Sequence, residues 1–148
     1  LSAPDIMPTV LGLSGLPNEI PEEVQGRDFS NWILTGESEI PLPQGALYIR
    51  NLDGEKDENG KVISYFPETR GVKTAEYTLS LTIDKESKEL QHAFFFHDVT
   101  DPYQLNNLSL DDHPTEKEAL LKVLAGLLKD ADDPWYNEKI LADRIPYN

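Results

Sequence analysis

The 148 residues carry 13 Lys and Arg against 27 Asp and Glu, a formal net charge of -14, with three His and no Cys. That length suffices for one domain with an ordinary core. The acidic balance excludes a nucleic-acid binder that works by phosphate neutralisation and argues against an anionic membrane surface, while the missing cysteines exclude disulfides, a thiolate nucleophile, Cys-ligated metals and iron–sulfur clusters.

In chain order, Ile6, Met7, Val10, Leu11 and Leu13 make one broad apolar face and predict a short helix, started by Ser2 or Asp5 and stopped by Gly15. Residues 16–44 are rich in proline and acids. Their one aromatic island, Asp28 to Leu34, predicts a connector pinned to something larger. From Ala46 the pattern turns to strands. Ala46–Arg50 and Val62–Phe66 flank a polar run with the turn signals Asp53-Gly54 and Asn59-Gly60, which predicts a hairpin with a long tip. Tyr77, Leu79, Leu81 and Ile83 alternate strictly with hydroxyl residues, the mark of a strand with one buried face. His92–His97 is apolar on both faces and predicts a central strand covered on each side. Thr115-x-x-Glu118 reads as a capping box for a long helix, with Leu120, Leu121, Leu124, Leu127 and Leu128 inward and an end near Asp130. Asp133-Pro134 opens a tail in which Trp135, Tyr136, Ile140 and Leu141 pack as a final turn, and both tryptophans are expected to be buried.

The class is α+β: a four-stranded antiparallel sheet with a packed C-terminal helix, preceded by an N-terminal helix and connector over 1–44 and forming a unit over 45–148. The first helix has no sequence-adjacent strand to cover, so the chain reads as one entered midway. No stretch approaches 18 apolar residues and no basic, apolar leader opens the chain, so neither a spanning helix nor an address is expected.

Chemistry is sparse. His92 and His97 are five apart and face opposite ways on one strand, so joint metal ligation is not expected. The loop from Glu55 begins with Glu where a calcium loop needs Asp, and its twelfth position is Phe66. There is no phosphate-cradling glycine loop and no G-x-S-x-G elbow. No catalytic residue and no metal ligand is singled out.

Three segments in order resemble the carboxy-terminal part of the sulfatases, in the alkaline-phosphatase-like superfamily. Asp5-Ile6-Met7-Pro8-Thr9 through Gly15-Leu16-Pro17 resembles the "D-l-m-P-T-l-l-d-l-a-G-l-p" helix, followed by Gly26-Arg27-Asp28-Phe29-Ser30 for "G-r-s/d-l/f-s". Arg70-Gly71-Val72-Lys73-Thr74 through Leu79 resembles "R-g-v-R-T-x-r-Y-k-y", and Phe96 to Leu108 resembles "l-y-d-l-x-x-D-P-x-E-x-x-N-L". Gln104 stands where the pattern has Glu, and Phe96-His97 where it has Leu-Tyr.

The resemblance implies a C-terminal sulfatase fragment that completes the fold and one wall of the substrate pocket. It implies a parent that uses calcium and a formylglycine made in a C/S-x-P-S/T-R motif and is periplasmic or secreted. The nearest serine version here, Ser2-Ala3-Pro4-Asp5-Ile6, fails at its last two positions, so the fragment alone is expected to be inactive. Pocket candidates are His92, His97, Arg50 and Arg70, polar groups beside strand ends, with an interdomain or surface contact as the competing role for each. Tyr103 and Asn107 read as turn and capping residues. The implied partners are an N-terminal catalytic domain and a sulfated small molecule or glycan, with self-association through the apolar side of the first helix. Two alternatives stay open: a piece of a phosphoester or phosphonate monoester hydrolase, and a free-standing acidic carbohydrate-binding or interaction module.

Overall fold

The computed structural model describes residues 1–38, 41–51, 54–64 and 66–147. The chain divides into two compact units, Leu1–Gln44 and Gly45–Asn148.

In the first unit a 3-10 turn, Ala3–Asp5, runs into helix α1, Ile6–Leu13. Gly15, at φ +76°, closes it: the Leu16 amide reaches back to the Leu11 carbonyl at 2.9 Å, the six-to-one bond of a glycine-terminated helix. The inward face is not the apolar one. Asp5, Pro8, Thr9 and Gly12, at i, i+3, i+4 and i+7, turn toward residues 26–30. Asp5 accepts from the Arg27 amide at 2.9 Å and from the Ser2 amide and hydroxyl at 2.7 and 2.6 Å. Burial pushes the Asp5 carboxyl up, but these hydrogen bonds from Arg27 and Ser2 outweigh it and hold the group below its ordinary value. Thr9 Oγ1 accepts from the Phe29 amide at 3.1 Å and donates to the Arg27 carbonyl at 3.3 Å. A Cβ on Gly12 would overlap the Asp28 carboxylate and the Ser30 hydroxyl. The two motif segments are therefore one clamp, and Ile6, Met7, Val10 and Leu13 are left exposed on the far side, Ile6 at 57% and Val10 at 53%. Helix α2, Ser30–Thr35, follows and ends at Gly36 with φ +77°. Phe29 is buried, but Trp32 is 39% exposed, contrary to the expectation of burial: the clamp holds the chain through Phe29 one turn earlier.

The second unit is a four-stranded antiparallel sheet in the order β1-β4-β5-β6, with β1 Ala46–Arg50, β4 Glu68–Lys73, β5 Tyr77–Ile83 and β6 Leu90–His97. Two short strands, β2 Glu55–Lys56 and β3 Val62–Ser64, form a separate ribbon. This corrects the predicted hairpin. Its tip is where the sequence put it, with Gly60 at φ +80° and the Asp57 carboxylate accepting from the Asn59 and Lys61 amides at 2.9 Å. The Val62 segment, however, pairs with β2, and β1 takes β4 as its neighbour, Arg50 opposite Thr69. Asp53 and Tyr65, parts of that prediction, lie outside the described residues. Strand β4 escaped the pattern because its inward positions are Glu68, Arg70 and Val72, only one of them apolar.

Helix α3, Pro114–Asp130, covers one face. Its Leu120, Leu121, Leu124, Ala125 and Leu128 pack on Val72, Leu79, Leu81, Ile83 and Phe95, and Trp135, Ile140 and Ile145 complete the core. Each fully buried side chain of this kind contributes about 1.5–3 kcal/mol of transfer free energy. The helix begins one residue before the expected Thr115 cap: Pro114 takes the first position, where its missing N–H costs nothing, and no side chain caps the end. The short helix α4, Pro134–Asn137, is capped by Asp133, which accepts from the Trp135 amide at 2.9 Å.

Strand β6 lies at the edge of the sheet rather than in its centre. Phe95 is fully buried while Phe94 is 44% exposed. The outer edge is closed by a side chain that imitates a peptide: Asn107 Oδ1 accepts from the Phe95 amide at 2.8 Å, its Nδ2 donates to the Ala93 carbonyl at 3.2 Å, and the Leu108 amide donates to the Phe95 carbonyl at 2.8 Å. That protects an otherwise exposed pairing edge.

The turn beyond β6 explains the Gln at position 104. The Asp98 carboxylate accepts from Gln104 Nε2 at 2.7 Å, Thr78 Oγ1 at 2.7 Å and Lys73 Nζ at 2.9 Å. Partial burial raises the Asp98 pKa, and the bonds from Gln104, Lys73 and Thr78 more than reverse it. A depressed folded-state pKa contributes stability that is present above the unfolded value of 3.8 and lost as pH falls through the folded one. Gln104→Glu exchanges a donor for a second carboxylate against Asp98. It is expected to cost about 1–2 kcal/mol at neutral pH, most of it recovered near pH 4, when one carboxyl protonates. Urea midpoints at the two pH values check this; an equal deficit at both would exclude carboxylate repulsion.

Candidate functional site: the sheet face opposite the helix

Strand register sorts the four pocket candidates. Arg50 lies opposite Thr69, Thr69 opposite Thr82, and Thr82 opposite His92. Arg50 and His92 thus stand at the two ends of one row on the face away from α3, both exposed, about 14 Å apart by strand spacing. Between them the buried hydroxyls of Thr69 and Thr82 bond each other at 2.9 Å. The next row is Tyr48, Gly71, Ser80 and Phe94, and the one after it Ala46, Lys73, Thr78 and Phe96. Gly71, itself buried, puts no side chain between Tyr48 and Ser80, and the row has Tyr48, 51% exposed, at one end and Phe94, 44% exposed, at the other. Along β6 the rings of His92, Phe94 and Phe96 form a rail, with centroids 6.2 and 6.3 Å apart. Aromatic faces beside hydroxyls and two cations are suited to a polar ring with apolar C–H faces.

Arg70 and His97 lie on the other face. Arg70 is 2% exposed; its Nε donates to Asp133 at 2.8 Å, its Nη1 to the Thr69 and Arg50 carbonyls at 3.0 and 3.3 Å, and its guanidinium sits 5.4 Å from the Trp135 ring centroid. All of its reach is used inside the unit. His97 meets the Tyr77 ring edge-on at 4.6 Å and its Nδ1 accepts from the Thr100 amide at 3.2 Å, which ties down the turn after β6. The opposed faces of His92 and His97 follow from their spacing. Tyr48, Phe94 and Lys73 join the site only through register; the alternation within β1 and β6 was the one signal for Tyr48 and Phe94, and Lys73 on β4 had none.

Among the described residues no three His, Asp or Glu side chains converge to hold a metal ion, and no buried side-chain nitrogen or oxygen lacks a hydrogen-bond partner. No poised nucleophile and base pair emerges from this interior.

No protein-family model matches the chain. It is 60% identical over 147 residues to an endo-4-O-sulfatase of Bacteroides thetaiotaomicron, covering 99% of this chain and 29% of that protein. It is 31% identical over 116 residues to an ulvan-active sulfatase of Formosa agariphila, covering 73% of this chain and 18% of that one. A solved structure described with the metabolism of multiple glycosaminoglycans by Bacteroides thetaiotaomicron superposes with a TM-score of 0.85 at 60% identity, over 99% of this chain and 30% of that one. The chain thus spans less than a third of the relatives it matches, and its sheet, covering helix and clamp are those of their C-terminal part: it belongs to the sulfatases, as a C-terminal portion of one.

Proposed function

We propose that the chain completes the fold of a sulfuric ester hydrolase and supplies one wall of its substrate pocket, using the sheet face that carries Arg50 and His92. The observation that carries this reading is the 60% identity to an endo-4-O-sulfatase over nearly every residue. The substrate class is a sulfated glycan, because Tyr48 and Phe94 offer ring faces, Ser80 offers a hydroxyl, and Arg50 and Lys73 offer charge to a sulfate. The exposed Ile6, Met7, Val10 and Leu13 face is proposed to pack on the remainder of the catalytic domain. Calcium and a formylglycine are assigned to that remainder: the nearest match here to the C/S-x-P-S/T-R motif, Ser2-Ala3-Pro4-Asp5-Ile6, fails at its last two positions, so no step of catalysis is assigned to these residues. The phosphoester hydrolase and the free-standing module are not favoured, since the relatives are sulfatases.

A chimera tests the proposal: the catalytic part of the Bacteroides thetaiotaomicron enzyme joined to this chain in place of its own matching part. The chimera is expected to release sulfate from a sulfated glycan, and the chain alone to release none with or without calcium. Arg50→Ala with His92→Ala in the chimera is expected to lower kcat/KM about tenfold, mainly through KM, with an unchanged Tm. Turnover by the chain alone, or kinetics indifferent to both substitutions, would overturn the assignment.

A further inference from the structure

On the helix-covered side of the sheet, where β5 and β6 meet the segment 107–111 and the first turns of α3, there is a cavity of about 300 Å³. A more open recess of about 440 Å³ adjoins it and shares Leu90 and Arg144 as a wall. The floor is apolar, built from Leu81, Leu90, Ala93 and Leu121. The charged lining is mixed, with Asp111, Glu89 and Asp143 beside three cations. Lys117 and Arg144 line the cavity and Lys88 the recess, three of the 13 cationic side chains beside one groove.

Carboxylates oppose these cations, and their engagement is weak. Lys117 pairs with Asp111 at 2.9 Å, but the Asp111 side chain is 89% exposed. Arg144 meets only its sequence neighbour Asp143, at 3.6 Å, and its terminal Nη atoms make no hydrogen bond among the described residues. Exposed pairs of this sort contribute at most about 1 kcal/mol, so an incoming anion displaces them cheaply. The hydroxyl of Ser109, also in the lining, makes no hydrogen bond among the described residues. The Asp111 carboxyl is held below its ordinary value by the Lys117 hydrogen bond and charge and by the field of Arg144, and all three residues line the same cavity. Asp111 thus already sets one oxyanion, its own carboxylate, against Lys117.

We propose that this groove binds an anionic sugar, its carboxylate or sulfate between Lys117 and Arg144 in exchange for Asp111, its ring on Leu90 and Ala93, and a ring hydroxyl on Ser109. The sugar half of the assignment rests on the sulfatase reading; the oxyanion half stands on the groove alone. Pockets of about 300 Å³ and more are the range in which small ligands are held.

The test is an amide-shift titration of the isotope-labelled chain with four probes: galactose 4-sulfate, glucuronate, inorganic sulfate and galactose. The two anionic sugars are expected to shift Leu90, Ala93, Ser109 and Leu121, with inorganic sulfate at least about tenfold weaker and galactose weaker still. Lys117→Gln and Arg144→Gln should each weaken binding about tenfold, whereas Asp111→Asn, which removes the internal competitor and no ligand contact, should tighten it several-fold. A merely structural Asp111 predicts no gain. Inorganic sulfate binding as tightly as the sugars overturns the sugar half, and an Asp111→Asn variant that binds no tighter, with amide spectra showing it folded, overturns the exchange. Sulfate release by the chimera does not depend on these residues, so a groove that stays empty while the chimera turns over removes this proposal and leaves the sulfatase reading intact.

Discussion

Asp133→Ala is expected to cost the second unit about 3–5 kcal/mol, because it leaves a buried charge without its partner. Arg70 and Asp133 are 2% and 5% exposed and meet at 2.8 Å, and the same carboxylate caps α4 through the Trp135 amide. Trp135 is in turn buried, and its indole N–H donates to Glu68 at 3.0 Å. The two inward polar residues of β4 therefore grip the two ends of one Asp-Pro-Trp turn. Asp133→Asn keeps an acceptor for the cap and should recover only the capping share, about 1 kcal/mol, because the Arg70 charge stays unpaired. Replacing both members, Arg70→Met with Asp133→Leu, should recover most of the loss, since a well-packed apolar pair is often no worse than a buried ion pair. Urea unfolding followed at the Trp135 indole proton reads all four proteins. A double variant as unstable as Asp133→Ala would mean that the charge itself, and not the gap it leaves, is what the fold requires.

This network also marks the limit of what the sequence discloses. Strand β5 is visible because the positions it turns toward α3, Tyr77, Leu79, Leu81 and Ile83, are all apolar or aromatic and alternate. Strand β4 is not, because Glu68 and Arg70 are made fit for burial by Asp133 and Trp135, more than 60 residues later, and no local pattern carries that information. The long helix, its end near Asp130 and the Asn59-Gly60 tip are local properties and are legible. Strand β6 misleads for the opposite reason: three consecutive phenylalanines look central, yet the edge is sealed by Asn107, a residue whose sequence signature is that of any turn. With β1 given the wrong neighbour, the row joining Arg50 to His92 could not be anticipated. The candidates are readable singly, as polar groups at strand ends, and spacing alone parts His92 from His97, but which of them shares a face with Arg50 or with Arg70 is a matter of register.

Gly26→Ala is expected to undo the clamp of the first unit. A Cβ at this position would overlap the Pro4 carbonyl, which is backbone and cannot swing aside as a side chain would. The chain must then separate residues 26–30 from the start of α1. Two hydrogen bonds break in consequence: the one Asp5 accepts from the Arg27 amide at 2.9 Å and, four residues along the helix, the one Thr9 accepts from the Phe29 amide at 3.1 Å. Breaking both and exposing Phe29 amounts to about 3–5 kcal/mol, enough to melt a unit of 44 residues that has little else to hold it. The observable is hydrogen exchange: protection of the Arg27 and Phe29 amides should vanish, while Leu79 and Phe95 in the second unit keep theirs. Thr9→Val provides the graded control, removing one hydroxyl at nearly constant volume for about 1–2 kcal/mol and exposing mainly the Phe29 amide. The sequence shows Gly26 only as a motif letter, whereas its reason is steric: its close approach to Pro4 turns the polar and small face of α1 toward residues 26–30, and the apolar face stays exposed. Retained protection at Arg27 and Phe29 in Gly26→Ala would mean that the close approach is dispensable and that another contact fixes the direction in which α1 faces.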